Sequence, residues 1–110
     1  MVKTDNTFEY NLIKIGENQS DNDQIITDAK QNDMWFHLSN LPSCHVIITN
    51  NSMYPINKEM IIYCAQLVKL NTKYNNYKKL KVNYCNIKNV KKTNIKGKVI
   101  LKGKINTIIV

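Results

Sequence analysis

The sequence predicts an α+β fold, with one small domain over residues 1–110 in which two main helices pack against a mixed sheet. Hydrophobic periodicity switches several times along the chain between the alternation of strands and the three-to-four-residue spacing of helices. A chain of 110 residues has room for one modest core and not for a second domain.

The first half is predicted to contain three strands and a short helix. Alternating apolar residues over 8–15 indicate a strand that ends at Gly16. A helix is expected over 21–31, with Asp21 as the N-cap whose side chain accepts a free backbone N–H. Two further strands, Met34–Leu38 and 45–49, flank a polar link and are expected to pair.

The longest predicted helix covers Lys58–Leu70, because Asn57 is a suitable N-cap and the apolar residues recur at helical spacing. Their spacing gives one apolar stripe, which indicates a helix lying on a sheet. The stripe consists of Met60, Ile61, Cys64, Leu67 and Val68.

After Asn71 the pattern favours strands over 80–84, Val99–Leu101 and 105–110. Gly103, between two lysines, predicts a tight hairpin. The segment 84–97 has few apolar residues, so we expect a loop beside the sheet whose lysines project into solvent.

Charge is distributed unevenly along the chain. All 16 basic residues are lysines, and the net charge is +8. Residues 1–60 carry four lysines and eight acidic residues, a net −4, whereas residues 61–110 carry twelve lysines and no acidic residue, a net +12. Such asymmetry is typical of a surface that binds nucleic acid or another polyanion. Drift of an A/T-rich genome is an alternative source of lysine, but it does not explain the missing acidic residues.

Three cysteines without close pairing argue against a disulfide framework and favour a reducing compartment. No apolar run is long enough to cross a membrane. We therefore expect no membrane partner and a cytoplasmic location, in the host cytoplasm if the source is a virus, with the nucleus as the alternative.

Catalysis and metal binding are not expected. Cys44 beside His45 suggests a Cys–His nucleophile, but adjacent side chains of a strand point to opposite faces. The same objection applies to a metal bound by His37, Cys44 and His45, and three scattered glycines do not build a phosphate loop. The interpretation is a non-enzyme with no cofactor and no metal.

The segment from Asn32 to His37 contains the only Trp and one of the two histidines. We expect Trp35 to be a core residue. His37 and His45 occupy matching positions of their strands, so they are candidates for a small polar pocket that contacts phosphate or ribose. The alternative is a structural role for both.

Lysines and tyrosines of the second half are further candidates for nucleic-acid binding, because exposed rings stack on unpaired bases while ammonium groups hold phosphates. The alternative is a solvated lysine surface with buried tyrosines. Since the chain has no arginine, bidentate reading of guanine is absent and sequence specificity is expected to be weak. The candidates are Lys73, Tyr74, Tyr77, Lys78, Lys79, Lys88, Lys91 and Lys92.

Several segments together resemble the NFACT-R domain. Asn32-Asp33-Met34-Trp35-Phe36-His37 and Ser43-Cys44-His45-Val46 are similar to its signature, and segments on both sides follow in the family's order, so the resemblance covers almost the whole chain. These segments are Ile15–Asn18, Asn22-Asp23, Cys64–Lys69, Val82–Tyr84, Lys88–Thr93, Gly97–Val99 and Asn106–Val110. Cys64–Lys69 and Asn71 look closest to the eukaryotic stand-alone branch, here without the charged coiled coil that follows the domain in that branch.

The resemblance implies an RNA-binding domain that works in translation and ribosome-associated quality control. The leading hypothesis is therefore a non-catalytic domain that binds structured RNA, either transfer RNA or ribosomal RNA, with the ribosome as the larger partner. The alternatives are a module that docks an acidic protein and a DNA-binding domain. The oligomeric state is not predicted.

Overall fold

A six-stranded sheet dominates the computed structural model, which describes residues 1–110. Its strand order is β1-β2-β4-β3-β5-β8, and β6 and β7 form a separate two-stranded sheet. Every pairing is antiparallel, so the α+β class is confirmed with a sheet that contains no parallel pair. The elements are β1 (Lys3–Asp5), β2 (Ile13–Gly16), α1 (Gln19–Asp28), β3 (Met34–Leu38), β4 (His45–Ile48), α2 (Lys58–Leu70), β5 (Lys81–Asn86), β6 (Val90–Lys92), β7 (Val99–Leu101) and β8 (Asn106–Ile109).

The two helices cover opposite faces of the large sheet, and strand alternation divides the core accordingly. Phe36 points towards α2 and packs in one apolar cluster with Val46 and Cys64. Trp35, the preceding residue, points towards α1 and packs in a second cluster with Ile25. Trp35 is only 1% exposed, so its predicted core position is confirmed.

Helix α2 has the predicted bounds and the predicted cap. The Asn57 side chain accepts a hydrogen bond from the backbone N–H of Met60 at 2.9 Å, which satisfies one free amide of the first turn. Its buried residues are Met60, Cys64, Ala65 and Val68. Strand β3 also has the predicted bounds, and its pairing with β4 is confirmed.

Helix α1 begins and ends earlier than predicted, and Asp21 is not its cap. The cap is Asn18, whose side chain accepts from the backbone N–H of Asp21 at 2.9 Å. The Asp21 carboxylate instead accepts from the N–H of Glu17 and pairs with the N-terminal ammonium at 3.0 Å. Both residue types suit a cap, and local sequence did not distinguish them.

The N-terminal strand was also predicted incorrectly. The strand expected over 8–15 begins only at Ile13, because the chain turns between Phe8 and Asn11. Asn11 is buried there and donates to the carbonyls of Thr49 and Tyr54, which fixes the turn against a neighbouring loop. A separate edge strand, β1, precedes it and was not predicted.

The segment predicted as a solvated loop over 84–97 is largely ordered. Strand β5 continues to Asn86, a short 3-10 helix covers Ile87–Asn89, and β6 pairs with β7. Ile87 and Val90 are buried against α1 and Trp35, so they are core residues. The prediction failed because two well-placed apolar residues are enough to anchor an element on an existing core.

The prediction of a tight hairpin at Gly103 is also wrong. Gly103 has a positive φ of 80°, but the strands on either side of it, β7 and β8, belong to different sheets. The turn is attached to Asn89, whose carbonyl accepts from Lys102 N–H at 2.8 Å and whose amide donates to the Lys104 carbonyl.

Candidate nucleic-acid interface

His37 and His45 lie side by side on the sheet face that carries α1. Phe36 pairs with Val46, so the next register position places His37 opposite His45, and Asn83 of β5 pairs with His37 on the other side. The two imidazole centroids are 4.9 Å apart, with the rings nearly perpendicular. All three residues line one cavity of about 560 Å³.

His45 is buried and held by the indole of Trp35. Trp35 Nε1–H donates to His45 Nδ1 at 3.0 Å. Because an indole N–H only donates, Nδ1 carries the lone pair and the neutral ring carries its proton on Nε2. Burial lowers the pKa of His45 to about 3, with a smaller contribution from His37, so His45 is neutral near pH 7.

His37 is half-buried and has the opposite tautomer. Its Nδ1 lies 2.7 Å from the Leu38 carbonyl, and since a carbonyl only accepts, Nδ1 carries the proton. Nε2 of the neutral ring is then an acceptor. Burial lowers the pKa of His37 from its usual value, opposed by this hydrogen bond. The ring stacks on Trp35 with centroids 5.5 Å apart.

The walls of the cavity come from the N-terminus of α1 and from the turn between β6 and β7. Asn22 of α1 accepts from the His45 backbone N–H at 3.3 Å. Gly97 has a positive φ of 81° and lies so close to Gln19 that a Cβ would be 3.0 Å from its Cα. The turn is tied by Thr93, whose hydroxyl bonds the Lys98 carbonyl at 2.9 Å. The cavity therefore joins the histidines to Lys96 and Lys98 at its rim.

The second sheet and its connections form a lysine module, defined as residues 87–104. It contains seven lysines and no acidic residue, and all seven are exposed. Lys92 is the only one in an ion pair, with Asp23 at 3.2 Å, and its ammonium also donates to the Thr27 hydroxyl. The seven are Lys88, Lys91, Lys92, Lys96, Lys98, Lys102 and Lys104. The predicted candidates Lys88, Lys91 and Lys92 do not line the histidine cavity. They line a second, smaller cavity between the lysine module and α1.

The other predicted candidates lie apart, in the turn that follows α2. Tyr74 is half-buried against the α2 side of the core, and Lys73 Nζ lies 5.4 Å from its ring centroid. Tyr77 is 51% exposed, with its ring edge-on to Tyr74. Lys78 and Lys79 are exposed. The structure therefore divides the predicted residues between two surfaces, and Tyr77 has the more accessible ring.

The separation of Cys44 from His45 is confirmed. Cys44 packs in the cluster under α2, while His45 faces the cavity on the opposite side. Burial raises the pKa of Cys44 to about 11, so the thiol is protonated near neutral pH. No group of three or more His, Cys, Asp or Glu side chains is arranged to hold a metal ion. None of the helices is long and apolar enough to cross a membrane.

Three residues that line the cavity were not predicted as site residues from the sequence. They are Asn22, Asn83 and Gly97, which brings the turn between β6 and β7 against α1. Asn83 faces His37 only through the pairing of β3 with β5, which joins residues far apart in sequence. A usable signal existed for Asn83, because it alternates with Val82 and Tyr84 in an apolar strand. Asp33, in the same motif as Trp35, has a structural role, since its carboxylate accepts from the backbone of Lys30 and of Asn50.

Several known proteins are similar to this chain in sequence or in fold. Coiled-coil domain-containing protein 25 from Danio rerio, Bos taurus and Mus musculus is in each case 34% identical over 88 residues, covering 74% of this chain and 41% of the relative. The chain thus spans less than half the length of these relatives. A solved structure of the C-terminal part of the fibronectin/fibrinogen-binding protein from Streptococcus suis matches with a TM-score of 0.81 and 27% identity, over 91% of this chain and 40% of that one.

Residues 1–107 match the family described as the NFACT protein RNA binding domain. The match covers nearly all of the sheet, both helices and the lysine module, and it confirms the resemblance drawn from the Trp-Phe-His and Ser-Cys-His-Val segments. This chain belongs to the NFACT RNA-binding domain family.

Proposed function

We propose that this protein binds structured RNA, transfer RNA or ribosomal RNA, through the lysine module, and that it does so in a translation or ribosome-associated setting. The observation that carries the proposal is the concentration of seven exposed lysines on one small element, with one ion pair among them. Membership of a family described as RNA-binding supports RNA as the ligand.

The charge of the module is easier to explain with a polyanion than without one. Lys88, Lys91 and Lys92 lie within five residues, and like charges so close repel one another unless they are neutralised. The one neutralised member, Lys92, is paired with α1, which leaves the others for phosphates. Contacts by lysine to phosphates fix position rather than base sequence, so affinity should depend strongly on salt and weakly on sequence.

Three triple variants locate the binding surface. Lys88, Lys91 and Lys92 are replaced by Gln in the first, Lys73, Lys78 and Lys79 in the second, and Lys3, Lys14 and Lys30 in the third, which serves as a control of equal charge. Affinity for transfer RNA is measured against salt concentration. We expect the first variant to lose the most affinity and to reduce the salt slope by roughly 0.7 to 0.9 per phosphate contact removed.

Different ligands separate RNA from the alternatives. The same titrations are run with duplex DNA and with an acidic polypeptide of matched charge. Tighter binding to transfer RNA than to either supports the proposal. Tighter binding to the polypeptide would favour a protein-interaction module, and equal losses from all three variants would show that net charge alone determines binding. An affinity that does not change with salt would overturn the electrostatic mechanism.

A further inference from the structure

The cavity beside the lysine module is arranged for an uncharged ligand rather than for a phosphate. His45 is only 3% exposed, and its Nε2 has no hydrogen-bond partner within the protein. Every side-chain nitrogen or oxygen that is fully buried from solvent has a hydrogen-bond partner in the protein. Nε2 must therefore reach the cavity that His45 lines, where it presents one N–H donor in a fixed direction.

His37 supplies the complementary group. Its Nδ1 is committed to the Leu38 carbonyl, so Nε2 presents a lone pair, and its ring is 4.9 Å from that of His45, centroid to centroid. The oxygens of an RNA phosphate only accept hydrogen bonds, so the lone pair of His37 Nε2 would repel them. A donor beside an acceptor, both on neutral rings, is the pattern that matches the edge of a nucleobase.

The surroundings of the two rings have the composition of a base-binding site. The side-chain nitrogen of buried Asn22 is left free by the hydrogen bond that its oxygen accepts, and Asn83 adds an amide that makes no side-chain hydrogen bond. Ile95, Val99 and Leu101 give the lining an apolar part. A volume of about 560 Å³ is within the range of pockets that hold small ligands.

We propose that this cavity binds one unpaired nucleobase of the RNA, with His45 and His37 hydrogen-bonding its edge while Lys96 and Lys98 at the rim hold the flanking phosphates. The inference rests on the proposed RNA-binding function and deepens it. It assigns the lysines to the backbone and the histidines to the base, so bulges and single-stranded loops become the preferred parts of a structured RNA.

Trp35 gives a direct reporter for the test. It is the only Trp. Its indole N–H donates to Nδ1 of His45, while Nε2 of the same ring faces the proposed ligand. In ¹⁵N-labelled protein, uncharged nucleosides at millimolar concentration should shift this single indole resonance. Inorganic phosphate alone at the same concentration should leave it in place. Shifts from phosphate and none from nucleosides would overturn the proposal.

Variants separate recognition from folding. His37→Phe keeps an aromatic ring stacked on Trp35 but removes the Nε2 acceptor. Asn83→Leu removes the side-chain amide and replaces it with an apolar side chain of similar size. Asn76→Leu is the matched control, because Asn76 is exposed in the turn after α2 and does not line the cavity. We expect the first two to abolish the nucleoside shift and the control to retain it. Retention of the nucleoside shift in both His37→Phe and Asn83→Leu would overturn the assignment.

An abasic substitution connects the cavity to RNA. A bulged RNA lacking the base at its bulge should bind about tenfold more weakly than the intact RNA, given the usual contribution of one bound base. If RNA binds but neither the abasic change nor free nucleosides have an effect, the base pocket is refuted and the proposed function stands. If nucleosides bind and RNA does not, the pocket is supported and the proposed function fails.

Discussion

Replacing Trp35 by Ala should strongly destabilise the protein, because this side chain joins the sheet to both α1 and the second sheet. It is 1% exposed and packs with apolar residues from each of these elements. Truncating a buried Trp to Ala costs about 3 to 5 kcal/mol. The change also leaves His45 Nδ1 without its donor, which adds to this cost. Domains of this size are stabilised by about 5 to 15 kcal/mol in total.

A second variant separates packing from hydrogen bonding. Trp35→Phe retains most of the apolar contact and loses the bond to His45, so it should cost about 1 to 3 kcal/mol. Tyr77→Ala is the control, since Tyr77 is 51% exposed, and should change stability by less than about 0.5 kcal/mol. The measurement is urea denaturation followed by circular dichroism, with the free energy extrapolated to water. His37→Ala, at a half-buried position, should unfold close to wild type and weaken RNA binding.

The reasoning is refuted if Trp35→Ala unfolds at the same urea concentration as wild type and loses only RNA binding. That result would mean that the ring is exposed in solution and stacks on a base. An equal cost for the Phe and Ala variants would instead assign the effect of Trp35 to its hydrogen bond with His45 and not to packing.

Further predictions concern the groups around the cavity and the core. Because the folded state holds the pKa of His45 at about 3 and the unfolded value is near 6.5, the contribution of His45 to stability is complete above pH 6.5. It is lost as pH falls towards 3, by about 2 kcal/mol at pH 5. Urea unfolding at pH 5 and 7 checks this, and His45→Gln should remove most of the difference, leaving the smaller contribution of His37, whose pKa burial also lowers. Gly16→Ala should destabilise by about 1 to 3 kcal/mol, because a Cβ there would lie 2.9 Å from the backbone nitrogen of Asn22; an unchanged melting temperature would contradict the close packing of α1 on β2. Burial raises the pKa of all three thiols, and it raises the pKa of Cys44 and of Cys85 to about 11. Iodoacetamide should therefore label none of them at neutral pH until urea unfolds the chain. Rapid labelling of the native protein would show that a thiol is accessible.

Elements with their own complete local signal were predicted correctly. Helix α2 has an Asn cap and an apolar stripe, and β3 has a clear alternation between Trp35 and Phe36, so both bounds agree with the structure. Elements whose ends depend on distant contacts were not. The turn before β2 exists because Asn11 bonds Thr49 and Tyr54, and no local pattern contains that information.

The candidate site shows the same division. The matching positions of His37 and His45 were predicted from strand alternation, and the cavity contains both. Their tautomers were not predictable, because each is set by a partner, the Trp35 indole in one case and the Leu38 carbonyl in the other. The sequence alone left phosphate and ribose as the expected ligands of the pocket, whereas the neutral donor and acceptor favour a base.

The sequence by itself determined the α+β class, the central strand, the long helix and the lysine-rich second half, because periodicity, capping and charge are properties of neighbouring residues. Only the tertiary structure decided where the charge lies. The β6–β7 pair is anchored by Ile87 and Val90 on a core that α1 and Trp35 have already formed, and this packing carries Lys96 and Lys98 to the rim of the histidine cavity. Burial then favours the neutral form of both histidines, because a charged ring is poorly solvated there.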